Sequence, residues 1–306
     1  MDAFRIAATL HSPHYLPAYL AQELGYYANE NLVVSVDVPE PWELTLEHLD
    51  AGCADAVLGG AWLPAMYYAD VRRYRIFAQL SARYPLVLVS RQLVPAGDWS
   101  WLARKTLLVS GKGGVAAYVL LTGLMREHGI DSVQIDCVRD LSPAMMERLF
   151  LAGLGDGMLV SSMTAQRLVR QGLAHPVIKL DSVGEGIPSS VYYTTEQILA
   201  DPDRRARRFV RALQRAMDWI RENGVDGDAV RRVLAHGWPD DPIDDLQAIV
   251  RGYFAAGYWS DGIRIQADAL HRWQQMLIAN RLMTAAVPFE RLVSALPLTV
   301  DTASIS

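Results

Sequence analysis

The sequence has few cysteines, no general excess of basic residues and no long apolar run. Its 306 residues include two cysteines, Cys53 and Cys137, far apart and without another Cys or His at zinc-ligand spacing. Neither a disulfide framework nor a zinc site is expected. The net charge is −5, and six arginines between 204 and 215 form the one basic run. A solvated helix face explains that run better than a nucleic-acid partner does.

The amino terminus and the apolar segments bear on location. No segment reaches the ~20 apolar residues of a membrane helix, so the protein is not expected to be embedded in a membrane. The first five residues run straight into a strand pattern, without a basic region, an apolar stretch or a small-residue cleavage site. This pattern predicts a cytoplasmic protein, or a periplasmic one whose export signal was removed before Met1.

Strand and helix patterns alternate along the chain up to about residue 189, and the remainder is nearly all helical. Such alternation is typical of parallel βαβ units. Two short crossings, near 81–85 and near 188–191, predict that the chain enters a second lobe and returns. We therefore expect an α/β fold of two hinged lobes, each a mainly parallel sheet flanked by helices, with a helical C-terminal segment. The predicted boundaries are 1–83 and 188–306 for lobe 1, and 84–187 for lobe 2.

Four motifs carry a family resemblance, and their order and spacing are more specific than any one of them. They are PAYLAQELGYY at 17–27, LVVSV at 32–36, LDAGCADA at 49–56 and the related LAGLGDG at 151–157. Together they resemble solute-binding proteins of the type II periplasmic fold. The group they resemble includes NMT1/THI5-like proteins and the nitrate, taurine and alkanesulfonate binders of ABC transporters.

The resemblance implies a ligand cleft at the carboxyl ends of the parallel strands, where ligands of open α/β sheets bind. Two loops of the first lobe would then contact the ligand. The first contains His11, Ser12, His14 and Tyr15, although His14 alternatively caps the helix that follows. The second contains Gly60 and Trp62, where paired glycines allow close approach and Trp62 is either a cleft wall or a core residue.

The remaining candidates lie in the second lobe and at the crossings. Lys112, Gly113 and Gly114 follow a strand and precede a helix, which predicts an anion site or, equally, a plain turn. Hydroxyls in the second lobe would either cap a helix or reach the ligand. The crossings add a cation for an acidic ligand and two hydroxyls. These further residues are Ser161 and Ser162 in the second lobe, and Arg83, Ser189 and Tyr192 at the crossings.

Three functions remain open from the sequence. The leading one is reversible binding of a planar or anionic small molecule (a pyrimidine, an aromatic acid or a sulfonate) by hinge closure, with an ABC transporter permease as a candidate partner and no cofactor. The second is an enzyme on the same scaffold, such as a decarboxylase that uses His11 or His14 as an acid. The third is an intracellular sensor whose partner surface is an aromatic cluster on the tail, although such a cluster more commonly packs the tail onto the first lobe.

The family's own enzymes cannot be carried over to these residues. The pyrimidine-precursor synthases have a cysteine-rich iron-site motif, which the sequence lacks. The aromatic desulfinases have a nucleophilic Cys in the first loop and an Arg just before the Gly-Gly pair. Ser12 and Val57 stand at those two positions here.

Overall fold

Two five-stranded sheets form the framework of the protein. The computed structural model describes residues 1–68, 72–110, 115–131, 135–139, 141–183, 186–294 and 296. The first sheet contains β1 (Asp2–Ala8), β2 (Leu32–Asp37), β3 (Ala56–Gly59), β4 (Arg75–Ser81) and β10 (Ser190–Thr194). The second contains β5 (Leu86–Ser90), β6 (Thr106–Val109), β7 (Asp136–Val138), β8 (Gly157–Ser161) and β9 (His175–Lys179).

Each sheet is mainly parallel, with one strand reversed. The first has the order β2-β1-β3-β10-β4, and β10 runs antiparallel to both neighbours. The second has the order β7-β6-β8-β5-β9, with β5 reversed between β8 and β9. The reversed strands are the first segment after each crossing, so the chain enters each sheet in the opposite direction when it changes lobe.

The two sheets share one structural element, which the related motifs at 49–56 and 151–157 encode. In the first, the Asp55 amide donates to the carbonyl of Arg5 (2.7 Å) and its carboxylate accepts from the Arg5 amide (2.8 Å). In the second, Asp156 forms the same pair of bonds with Thr106, at 2.7 and 2.9 Å. Each aspartate thus fixes the loop before β3 or β8 to the first parallel strand of its sheet.

The helices flank both sheets, and the last five form a C-terminal segment. In chain order they are α1 (Leu16–Glu23), α2 (Tyr26–Asn29), α3 (Leu44–Asp50), α4 (Trp62–Tyr67), α5 (Ala116–Glu127), α6 (Pro143–Leu151), α7 (Ser162–Arg170), α8 (Leu180–Val183), α9 (Glu196–Leu199), α10 (Arg205–Asn223), α11 (Asp228–Gly237), α12 (Ile243–Ala255), α13 (Ala267–Ala279) and α14 (Phe289–Leu292). The segment packs on both lobes: α10 and α11 contact α1, whereas α12 contacts α7 and α13 contacts α5.

The arginine run lies on α10 and is largely paired, not simply solvated as the sequence suggested. Arg205 contacts Asp55 and Asp201, Arg208 contacts Asp2, and Arg211 contacts Glu30. Arg215 lies over the ring of Tyr26, 4.4 Å from its centroid. These contacts hold α10 against β1 and α2, which accounts for the run without a nucleic-acid partner.

The architecture confirms the predicted two-lobed α/β fold. The chain passes from β4 to β5 and returns from β9 through α8 to β10, although the boundaries at 83 and 187 stay predictions. Along the described part of the chain, no helix combines the length and the apolar character needed to span a membrane.

Candidate functional site

A cavity of about 650 Å³ lies between the two sheets, with residues of both lobes in its wall. Residues at the carboxyl ends of strands from both sheets are part of its lining. Thr9 follows β1, Val38 follows β2 and Gly60 follows β3 on one side, whereas Ser110 follows β6 and Ser161 ends β8 on the other. The carboxyl ends of parallel strands from both sheets therefore meet at one site, as the fold predicts.

His14 lies at the centre of a polar network in the first loop. Its side chain is buried, with Nδ1 2.6 Å from the Ser12 hydroxyl and Nε2 3.1 Å from the Ser190 hydroxyl. Its carbonyl accepts from the indole of Trp259 (3.0 Å). Burial lowers the pKa of His14 to about 3, so the imidazole is neutral at pH 7. Its role is that of a neutral hydrogen-bonding group in the cavity wall, in place of the helix cap that was the alternative.

The neighbouring aromatic and histidine side chains of this loop are fixed by the tail and by one another. Tyr15 is buried 4.3 Å from the His14 ring, and burial raises its pKa to about 12. The His11 ring stacks on Trp238 at 4.2 Å, and its two nitrogens contact the Tyr19 hydroxyl and the carbonyl of Gly237. All four predicted residues of the loop line the cavity.

Gly60 and Trp62 form a second wall of the cavity. Trp62 packs edge-on against Trp42 at 5.7 Å and is 7% exposed. A Cβ on Gly60 would lie 2.4 Å from Cδ1 and Nε1 of that ring. Glycine at this position therefore lets the Trp62 ring lie directly against the backbone. Trp62 is at once a core residue and a wall residue.

The second lobe contributes helix starts and hydroxyls. The first residues of α5 and α6 line the cavity, as does Ser161, whose hydroxyl caps α7 by accepting from the Thr164 amide (3.2 Å). Ser162 is absent from the described lining, and its hydroxyl is buried. The predicted anion loop at Lys112, Gly113 and Gly114 lies outside the described residues.

Two of the predicted crossing residues, Tyr192 and Arg83, are not among the described residues that line the cavity. Tyr192 is buried in the core of the first lobe, with its ring 4.9 Å from Phe209. It lies two residues, about 7 Å, along β10 from Ser190, which does line the cavity. Arg83 donates to the carbonyl of Asp181 at 2.6 Å and so joins the crossing to α8. Ser189 lines the cavity, although its hydroxyl donates to the Ser81 carbonyl (3.2 Å).

Many lining residues were not among the sequence candidates, and those with polar groups include Ser190, Tyr84, Glu147 and Tyr253. Ser190 and Tyr84 lie at the crossings, beside residues that were chosen. Tyr253 belongs to the aromatic cluster of the tail, which was interpreted as a partner surface or as tail packing, because nothing in its local pattern marks a helix that returns to the cleft. Glu147 pairs with Arg167 at 3.0 Å.

The described lining is mostly apolar and aromatic and has little positive charge. Its ionisable side chains, tyrosines aside, are Glu40, Glu147, His11 and His14, and no Lys or Arg side chain is among the lining residues that the structure describes. Such a site suits a compound held by ring packing and a few hydrogen bonds.

The comparisons with known proteins agree with this arrangement. A family model described as "NMT1/THI5 like" matches residues 12–225, more than two thirds of the chain. One relative, named "Putative binding protein YtlA", from Bacillus subtilis strain 168, is 26% identical over 297 residues, covering 95% of this chain and 87% of the relative.

Two solved structures share the fold. The ligand-binding component of an ABC-type import system from Staphylococcus aureus, with zinc bound, has a TM-score of 0.75 at 12% identity, covering 98% of this chain and 100% of that one. The periplasmic aliphatic sulphonate binding protein SsuA of Escherichia coli also has a TM-score of 0.75, at 15% identity, covering 98% and 94%. These likenesses establish the two-lobed fold, and the match of the family model confirms the resemblance in the motifs: the chain belongs to the NMT1/THI5-like family.

Proposed function

We propose that this protein reversibly binds a small planar organic molecule in the interlobe cavity and acts as the solute-binding component of an ABC import system. The observation that carries the proposal is the cavity itself, which is lined from both sheets at the ends of their strands. A molecule in this position touches both lobes at once. Its binding energy therefore favours the closed arrangement of the lobes over an open one.

The size and lining of the cavity support a small aromatic ligand. Its volume of about 650 Å³ lies within the roughly 300–1,000 Å³ of small-molecule sites. Trp62, Tyr15 and Tyr253 place rings in the wall, and aromatic walls favour planar compounds by stacking.

An anionic group on the ligand is a further part of the proposal. The amino-terminal ends of α5 and α6, and the cap of α7, border the cavity, and helix amino termini attract negative charge. Lys112, which precedes α5 in the sequence, is the cation we propose for that group. The ligand class we propose is thus a pyrimidine, an aromatic acid or an aromatic sulfonate.

The transporter partner is proposed from the relatives. The Staphylococcus aureus structure is a component of an ABC-type import system, and the Escherichia coli protein is periplasmic. By that likeness we propose a permease as partner and a location outside the cytoplasmic membrane.

The geometry favours binding over catalysis. The Ser12 hydroxyl lies 2.6 Å from Nδ1 of His14, a distance typical of a nucleophile and its general base. With its pKa near 3, however, His14 is a weak base and carries no acidic proton at pH 7. Its other nitrogen contacts Ser190, so no carboxylate orients the ring. His11 has both nitrogens occupied by Tyr19 and Gly237.

The proposal is tested by titrating the purified protein, unfolded and refolded to remove bound compounds, with uracil, benzoate and benzenesulfonate in a calorimeter. We expect at least one to bind, with a smaller radius of gyration at saturation and no chemical change in the recovered compound. Trp62→Ala should weaken that binding about tenfold or more, ~1.4 kcal/mol. Trp219→Ala, on α10 outside the cavity, should not.

Three outcomes would contradict parts of this proposal. Binding that leaves the radius of gyration unchanged would exclude hinge closure, and conversion of the compound would favour the enzyme. Lys112→Ala should weaken benzoate and benzenesulfonate more than uracil; an equal effect on all three would remove the anionic group from the ligand class.

A further inference from the structure

One face of α12 follows α7 from the molecular surface into the ligand cavity. Asp245, Ile249 and Tyr253 are spaced four residues apart on α12 and so share a face about 12 Å long. This face lies along α7, which belongs to the second lobe. We call the contact between these two helices the α7–α12 seam.

The outer end of the seam is polar. Arg170 of α7 forms an ion pair with the carboxylate of Asp245, and Gln166 donates to the Asp245 carbonyl (3.3 Å). The side chain of Arg170 is 47% exposed and that of Asp245 26%. Contacts of this kind are individually weak and exchange readily with water.

The middle of the seam is incompletely filled. A second cavity of about 160 Å³ runs along the seam, from Arg170 and Asp245 at its outer end to Met163 of α7. Met163 and Thr164 also line the ligand cavity, so the two cavities adjoin. A void in a contact removes packing on both of its sides and so lowers the cost of separating them.

The inner end of the seam is Tyr253. Its side chain is 2% exposed, lines the ligand cavity, and meets the His14 ring edge-on with the centroids 6.4 Å apart. Among the described lining residues it is the one that the C-terminal helices supply. A compound in the cavity would therefore touch the same face of α12 whose outer end is tied to the second lobe.

The opposite contact between the tail and the second lobe is built differently. Met276 of α13 lies against Gly123 of α5 so closely that a Cβ there would meet its sulfur at 2.6 Å. Both helices belong to one continuous core that also includes residues of the two sheets. Both contacts include an exposed ion pair, Arg272–Glu127 here and Arg170–Asp245 at the seam. They differ in packing, because this contact is filled whereas a cavity lies along the seam.

We propose that the α7–α12 seam is the opening side of the cleft: Tyr253 is a ligand-contacting residue, and the Arg170–Asp245 pair is a latch that holds α12 against the second lobe. The α5–α13 contact stays closed and serves as the fixed side. This inference rests on the proposed binding function but assigns its gate, and part of its specificity, to the C-terminal segment.

The latch is tested first without ligand, by amide hydrogen exchange. Asp245→Asn should speed exchange in α7 and α12 about two- to fivefold, while α5 and α13 keep their wild-type rates. The matched control is Asp226→Asn. It removes the exposed ion pair between Asp226, which precedes α11, and Arg251 of α12, and it does not involve α7. Equal exchange in the two variants would overturn the latch whether or not any compound binds.

The ligand contact is tested with whichever of uracil, benzoate and benzenesulfonate binds to the wild type. Tyr253→Leu should lower its affinity about tenfold, whereas Phe254→Leu, at the neighbouring exposed position, should not; both are measured well below their melting temperatures. Asp245→Asn should raise the dissociation rate about two- to fivefold. Unchanged affinity in Tyr253→Leu would overturn the contact between Tyr253 and the ligand. If none of the three compounds binds to the wild type, the ligand class of the proposed function is contradicted. The hydrogen-exchange test of the latch is independent of that outcome.

Discussion

The buried His14 should make the stability of the protein depend on pH, and replacing it should remove that dependence. Burial lowers the pKa of His14 from 6.5 to about 3 in the folded state. Between these values the unfolded chain binds a proton that the folded protein does not, so the stability falls as the pH is lowered through 6.5. The change to test is His14→Gln, because its amide keeps a hydrogen-bonding group near Ser190 and does not titrate.

The size of the effect follows from the two pKa values. Between pH 7 and pH 5 the wild type should lose about 2 kcal/mol through His14 alone. For a chain of 306 residues, this corresponds to about 3 °C in melting temperature. Thermal melts at the two pH values should show a drop about 3 °C larger in the wild type than in His14→Gln.

The quantity to compare is the drop in melting temperature between pH 7 and pH 5 in each protein, because His14→Gln also lowers the stability by an amount that is the same at both pH values. His236→Gln, at an exposed position on α11, is the control and should follow the wild type. Parallel pH dependence in the wild type and His14→Gln would refute the assignment of a neutral, buried imidazole to the cavity wall.

Two further predictions concern the packing of Trp62 against Gly60 and the aspartate that each lobe has before β3 or β8. Gly60→Ala should lower the free energy of unfolding by about 1–3 kcal/mol, because its Cβ would collide with the Trp62 ring. Gly252→Ala, at a helical position with open space around it, should raise that free energy by about 0.5–1 kcal/mol. Urea denaturation in which both variants shift the free energy in the same direction would contradict this. Asp55→Asn should lower the free energy of unfolding by about 2–4 kcal/mol, because this buried carboxylate pairs with both Arg5 and Arg205. Asp156→Asn should lower it by about 1 kcal/mol or less, because the equivalent side chain is 43% exposed. Similar shifts of the urea midpoint in the two variants would contradict this.

The sequence was most informative where a local pattern has one physical solution. Alternating strands and helices lead to stacked βαβ units. The repeated Gly-x-x-Asp motif marks the aspartate that forms the same pair of backbone hydrogen bonds in each lobe. The part of the chain after residue 189 was expected to be nearly all helical, and its longest helix, α10, extends over Arg205–Asn223. In these segments each local preference agrees with the packing, so the pattern alone was sufficient.

Strand direction was not predictable in the same way. Strands β5 and β10 have the composition of buried strands, which does not distinguish parallel from antiparallel neighbours. Their reversal depends on where the chain re-enters a sheet after a crossing, a property of the topology. The crossings themselves were found from the sequence.

The position of a side chain along a strand was a second limit. Ser190 and Tyr192 are both on β10 and two residues apart, yet Ser190 lines the cavity and Tyr192 packs against Phe209. Both residues lie at the predicted crossing, and only Tyr192 was among the sequence candidates. Depth decided otherwise, and depth follows from where the strand begins, which sequence patterns give only to within a few residues.

The tail shows why the two lobes, built on one plan, do not have equal roles in the cleft. Both sheets place strand ends on the cavity, and a symmetric hinge would follow from these elements alone. The C-terminal helices break that symmetry, because α13 packs into a filled core beside α5 whereas a cavity lies along the contact between α12 and α7. An interface that is filled on one side and loosely held on the other opens on the loose side, so the direction of motion is a consequence of the tail and not of the repeated lobes.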